Sequence, residues 1–346
     1  MEEKYFAAAN SSRGFVSYFD CAFGKAERRY IIKGGPGTGK SYFMRQVAHR
    51  AEECGHTVVY FYCSSDQDSL DGILIDGKIA LFDGTAPHSA EASCPGARDE
   101  LIDLGQFWSS ERLEAKRHEI EALQKKKSAA YSRAYDCLAA AGEVEKAVAG
   151  LVSPCILQKK LCEAAARYLR HLPNGEAFSS SELAVNSIGM KGELRFLTLE
   201  KRAKTTVSVS DHLSSAYMFF DELILEAERK QLEVRISRDP IFPEYADAVE
   251  FPDFGLLFYL GEGGSKNVNM QRFIDFSKAK EIRKSYKELR ACKAGLISAA
   301  RAALAEVADH HFALESIYIA TMDFDAKDKF THNFTDRLML ALSKKV

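Results

Sequence analysis

Gly34-Gly35-Pro36-Gly37-Thr38-Gly39-Lys40-Ser41 is the stretch on which the reading of this sequence turns. It has the pattern G-x-x-x-x-G-K-S, and its surroundings suit a phosphate cradle. Before it, Tyr30-Ile31-Ile32 within Arg29 to Lys33 makes a short apolar run suited to a buried strand. After it, Phe43, Val47 and Ala51 recur at helical spacing, and Gly55 supplies a C-terminal stop. Glycines let consecutive backbone N–H groups converge on phosphate oxygens, and the helix that follows directs its positive end at the same charge. The expected ligand is ATP with Mg²⁺. Gly35, Pro36, Gly37, Thr38, Gly39, Lys40 and Ser41 form the cofactor-binding set, with Lys40 on the β/γ-phosphates and the Ser41 hydroxyl on the metal.

A magnesium site of this kind takes a carboxylate from the end of a neighbouring apolar strand. Ile79-Ala80-Leu81-Phe82-Asp83 fits, so Asp83 is the expected metal partner and, with Lys40, the expected catalytic group. No Glu follows Asp83 to activate water, so rapid autonomous hydrolysis is not implied. Thr57 to Cys63 is β-branched and aromatic and reads as a second strand. Ile73-Leu74-Ile75 is another short strand, joined to the Asp83 strand through an Asp76-Gly77 turn. Asp66, Asp68 and Asp71 follow the second strand, where one carboxylate could serve as a base or support the metal; a polar turn is the alternative. Thr85 and His88 are candidate γ-phosphate or substrate contacts. His310, His311 and Glu315 read as surface helical residues rather than a metal set.

Downstream the pattern becomes helical. Leu113, Ile120, Leu123, Ala130, Ala134, Leu138 and Ala141 recur near heptad spacing, interrupted by Lys125-Lys126-Lys127 on a solvated stretch. A second helix from Cys155 to Leu172 ends at Pro173-Asn174-Gly175, and the pair suggests a long helical hairpin. The second half repeats the plan. When Tyr217 to Lys230 is laid on Ser41 to Cys54, Phe219 falls on Phe43, Asp247 on Asp71 and Leu257-Phe258 on Leu81-Phe82. A further heptad-like helix runs from Ile282 to Val307, and another from Phe312 to Met322. The expected fold is α/β: a P-loop-like parallel sheet with helices on both faces, duplicated, each half carrying a helical hairpin. Its divisions are 1–110, 111–175, 176–265 and 266–346. In the second copy Ser210 to Tyr217 lacks every glycine, and Ala216 stands where Lys40 stands, so that loop is expected to be silent.

Composition sets outer limits. Of 346 residues, 46% are hydrophobic, enough for a large core and too many for a disordered chain. A net charge of −2 gives no general attraction to nucleic acid or anionic membranes. The eight cysteines form no C-x-x-C pair and no zinc-like spacing, no secretion signal is visible, and no apolar run is long enough to span a bilayer. A cytoplasmic location is therefore expected.

At the glycine loop and its flanks the chain resembles a bacterial family of tandem-half P-loop ATPases. The matching stretches are Arg29 to Ser41, Tyr62 to Gly72, Phe82 to His88 and Pro95 to Glu100. The resemblance implies tandem P-loop halves and ATP binding but no defined reaction; the altered Ser210 to Tyr217 loop departs from members with a second glycine loop. Two kinds of function follow from these features. One is a Mg-dependent ATPase or nucleotide switch acting through its helices on a macromolecular partner. The other is a phosphotransferase with a small-molecule acceptor, and a nucleotide-stabilised scaffold without turnover is a third reading.

Overall fold

The computed structural model describes residues 2–86 and 90–343. His88 lies outside the described residues. The apolar run at Ile31-Ile32 forms the strand Arg28–Lys33, which enters the glycine loop and then the helix Lys40–Glu53. Around that strand stands a six-stranded sheet in the order Glu3–Phe6, Val58–Tyr62, Leu70–Ile75, Ile79–Asp83, Arg28–Lys33, Asp99–Asp103. All neighbours are parallel except at Leu70–Ile75, which runs antiparallel to both sides. The sheet is thus mixed rather than parallel. The cause is local: Asp76 (φ 51°) and Gly77 (φ 69°) both adopt left-handed conformations, the tight turn that folds a strand back on itself.

A second six-stranded sheet has the order Ser179–Leu183, Glu233–Arg238, Ala246–Phe251, Leu256–Leu260, Thr205–Ser210, Lys266–Asn269. Its pattern of parallel and antiparallel neighbours is the same, strand for strand, with Thr205–Ser210 in the place of Arg28–Lys33. A two-stranded hairpin and a short helix follow the edge strand in each case, as Ala8–Ser11, Gly14–Ser17 and Phe19–Phe23, then as Asn186–Gly189, Gly192–Arg195 and Thr198–Arg202.

Strand alternation sorts side chains to two faces. From the first sheet Ile32, Ile73 and Leu81 join Phe43, Met44, Val47, Phe334 and Leu338 in one core. From the other face Ile31, Ala80 and Phe82 join Phe23, Leu199, Ala248, Leu257 and Tyr259 in a core shared with the second sheet. Helices therefore do not cover both faces of each sheet, as the sequence suggested. One face of each meets the other sheet, with only the short helices beside them.

The long helices also differ from expectation. The first runs Arg117–Val152 and the second Phe276–Ile319, absorbing Ile282 to Val307 and most of Phe312 to Met322 into one element; the last helix, Phe324–Ser343, begins after it. The two long helices pack antiparallel on each other, held at their ends by bridges between Trp108 and Met322 and between Ile156 and Ile274. Small side chains at Ala130, Ala134, Ala141, Ala300 and Ala303 are buried there and allow close approach. Neither half forms a hairpin of its own. Gln158–Leu169 packs on Ala216–Arg229 of the second core, and Phe324–Ser343 packs on Lys40–Glu53 of the first. A 36-residue helix is about 54 Å long, so each long helix carries the chain from one core to the other. Each core is covered by a helix whose connection starts at the opposite end of the molecule.

Candidate functional site

Gly37 (φ 70°) and Gly39 (φ 83°) hold left-handed conformations, which lets the loop curl over the start of Lys40–Glu53. Gly39 is the residue capping that helix, and no side chain satisfies the first-turn N–H groups. Those donors and the helix dipole suit an anion. The loop opens on a cavity of about 510 Å³ whose wall includes Lys40, Ser41, Asp66, Asp71 and Asp83. Lys40 Nζ donates to the Gly34 and Gly35 carbonyls (3.0 and 2.9 Å) and stands 3.5 Å from Asp83 Oδ2. Ser41 Oγ accepts from the Leu70 N–H at 3.0 Å.

Sheet register brings Asp83 there. It pairs with Ile32, at the carboxyl end of the strand beside the loop strand. Thr85 fixes the carboxylate, donating to Oδ1 from its N–H (2.8 Å) and hydroxyl (2.6 Å) and leaving Oδ2 toward Lys40. Thr85 thus orients Asp83 rather than lining the cavity. The donor set suits magnesium: Ser41 brings a hydroxyl and Asp83 a carboxylate to the same cavity, and a magnesium ion bound to nucleotide would draw its other ligands from phosphate and water. Among the described residues no cluster of three His, Cys, Asp or Glu side chains offers an all-protein metal cage.

The three aspartates after Val58–Tyr62 separate. Asp66 and Asp71 are buried and face the cavity, and Ser69 Oγ donates to Asp66 at 2.5 Å. Asp68 points away into an ion pair with Lys191. The second half holds this loop in place. Gln67 donates to Ser187 Oγ (2.8 Å) and the Gly192 carbonyl (3.0 Å), the Met190 N–H donates to the Ser65 carbonyl (2.9 Å), and Asn10 donates to the Ile188 carbonyl (2.8 Å).

The opposite wall comes from helices whose sequence gave no such signal. His311, Glu315 and Ile319, on the last turns of Phe276–Ile319, line the cavity with Lys327 of the final helix. A β-carbon on Gly37 would lie 2.8 Å from the Glu315 carbonyl oxygen, and one on Gly35 would lie 2.8 Å from the Tyr318 ring. The Gly37 N–H donates toward the Glu315 carboxylate; burial raises the Glu315 pKa, and Asp66 adds to that. His311 is pushed down to about 4, chiefly by burial and then by the Lys127 charge. It is neutral at neutral pH, and its 3.6 Å approach to Glu315 is no ion pair there. Lys127 reaches the same region, its pKa lowered by burial and by Lys40. His311 and Glu315 are therefore half-buried on the cavity wall rather than freely exposed, and Lys127 is half-buried on a stretch whose other lysines, Lys125 and Lys126, are exposed as expected. Only His310 turns away, toward Glu306 (3.7 Å). The four-residue spacing of His311 and Glu315 was the available sign that they share a helix face.

The second half handles the same position differently. Asp211 accepts from the N–H groups of Ser214 (3.1 Å), Ser215 (2.8 Å) and Ala216 (2.9 Å), so the chain's own carboxylate occupies the start of Ala216–Arg229. Tyr217 and Tyr245 stack with centroids 3.9 Å apart, and the remaining cavity is about 210 Å³. Lys293 is neutralised there by Glu145.

Residues 17–74, which include the glycine loop and its helix, match the family model described as Nephrocystin 3, N-terminal. No curated protein and no solved structure matches the chain. No helix among the described residues is long and apolar enough to cross a membrane.

Proposed function

We propose that this chain is a Mg-ATP-binding P-loop protein with duplicated cores, one working nucleotide site, and long helices that respond to nucleotide state. The observation that carries the reading is the meeting of Lys40 and Asp83, 3.5 Å apart, at the uncapped start of a helix entered through left-handed glycines. Backbone N–H groups of the loop would hold the phosphates, Lys40 would move from the Gly34 and Gly35 carbonyls to phosphate oxygens, and Ser41 with Asp83 would hold the metal. Magnesium bound there would offset charge on the phosphates. The matching strand orders of the two sheets support a common origin for the halves. Asp211 at the second helix start supports a single site, because its carboxylate already takes the anion's place.

Coupling to the helices follows from contact. Glu315 and Tyr318 lie so close to Gly37 and Gly35 that no side chain would fit between, so a loop that adjusts to phosphate would carry its movement to the end of Phe276–Ile319, and that helix packs along Arg117–Val152. A phosphotransferase reading draws on Asp66 and Asp71, carboxylates in the same cavity able to accept a proton from an acceptor hydroxyl. A labelled small product from ATP and a metabolite pool would favour it, whereas phosphate release stimulated by a macromolecular fraction favours the switch.

The nucleotide site itself is tested by thermal stability. At a hundred times its Kd, Mg-ATP should add about 2.7 kcal/mol to the wild-type chain. Lys40→Ala should remove that gain while leaving the ligand-free melting temperature near wild type. An equal gain in the variant would remove the loop from the argument.

A further inference from the structure

We propose that Lys327 is a second phosphate-binding lysine of this site, supplied by the C-terminal helix; the inference rests on the nucleotide reading above. Its side chain is 3% exposed, and its Nζ lies 3.0 Å from where a β-carbon on Gly39 would stand, at the start of the loop helix and on the cavity wall. Its Nζ lies against two aromatic rings, 4.4 Å from the Tyr42 centroid and 5.2 Å from that of Phe324. Its carboxylate partner, Asp328 at 3.0 Å, is itself 54% exposed. An ammonium so buried beside a solvated carboxylate is costly to the fold, and an apolar side chain would fill the space at less cost.

The second core shows that apolar alternative. The interval that carries the turn Leu104–Phe107 onto Met270–Phe273 also carries Leu161 onto Lys327. The covering helices pack alike: Phe334 lies against Phe43 (5.2 Å) as Tyr168 lies against Phe219 (6.1 Å). Leu161 is fully buried in an apolar core. The fold thus requires only a hydrophobic side chain at this place. The core with the glycine loop has two lysines, Lys40 and Lys327, whereas the core without it has Ala216 and Leu161. Charge balance gives the pairing a purpose. Asp66, Asp71, Asp83, Glu315 and Asp328 all line the cavity, and a triphosphate entering among five carboxylates needs more than one cation.

Calorimetric titration of the full chain with Mg-ATP, alongside melting of the ligand-free protein, tests the assignment. Lys327→Leu should weaken binding by about 10- to 100-fold, the value of a hydrogen bond to a charged group. Its ligand-free melting temperature should hold or rise. If the branched side chain prevents folding, Lys327→Met keeps the stem and removes only the ammonium, and the same result is expected. Wild-type affinity in either folded variant overturns the proposal. So does a large fall in ligand-free melting temperature for both, which would make the ammonium a structural group. Lys40→Ala separates the two levels of the argument: if wild type and Lys40→Ala alike fail to bind Mg-ATP, the nucleotide reading itself falls.

Discussion

Replacing Phe334 with alanine tests the exchange of covering helices between the two cores. Phe334 is 4% exposed on Phe324–Ser343 and meets Tyr30 edge-on (5.0 Å) and Phe43 (5.2 Å), on the loop strand and loop helix respectively. Truncating a buried phenylalanine costs about 3–5 kcal/mol through lost burial and the cavity left behind. Leu338 and Leu342 remain to hold the helix, so collapse around the gap should be partial and the cost near that range. Urea denaturation followed by the fluorescence of Trp108, the chain's single tryptophan, reads the effect locally. Trp108 packs 5.7 Å from Tyr318 and bridges to Met322, where the chain enters the covering helix. With a slope near the upper end for folded domains, about 3 kcal/mol per molar, the midpoint should fall by roughly 1 M or more. A loss below about 1 kcal/mol would mean that the helix is not docked on the first core, and the crossed arrangement would be refuted.

Two further outcomes follow from the charges around the loops. Glu315→Gln removes a carboxylate from the Gly37 N–H, and like charges several ångströms apart at an effective dielectric near 20 oppose one another by about 2 kcal/mol; Mg-ATP should bind roughly 30-fold tighter, and an unchanged or weaker Kd would show that Glu315 does not oppose phosphate. Asp239 is pushed up to about 7, chiefly by burial, although it accepts the Ile241 and Phe242 N–H groups at 2.8 Å. Because the folded state holds this proton up to about pH 7 and the unfolded state releases it near 3.8, stability contributed here is full below 3.8 and lost as pH rises toward 7. Asp239→Asn keeps an acceptor for both N–H groups and should flatten that loss, adding a few kcal/mol at most at pH 8 and little near pH 4; parallel melting-temperature profiles for variant and wild type would sink the assignment.

Local features were legible from residue order alone. Tyr30-Ile31-Ile32, the glycines and the Phe43-Val47-Ala51 spacing specify strand, loop and helix within a few turns of chain, because their geometry depends on neighbours in sequence. Asp76-Gly77 likewise carried its hairpin, yet the same turn implied an antiparallel strand that a parallel-sheet reading passed over. The paired heptad patterns were visible too, but not which helices would pair. Gln158–Leu169 has an apolar stripe that several surfaces could bury, and sequence spacing does not say which surface lies at the far end of a 36-residue helix.

By itself the sequence determined the glycine loop, the strand and helix around it, and the absence of an equivalent loop at Ser210 to Tyr217. Tertiary structure decided the company that loop keeps. His311, Glu315 and Lys327 lie far from Gly34–Ser41 in the chain and carry no motif, and a surface lysine and a cavity lysine look alike in sequence. They reach the loop because two long antiparallel helices carry each half of the chain across to the other's core. Burial and charge at the site are sums over residues that only this crossing brings together.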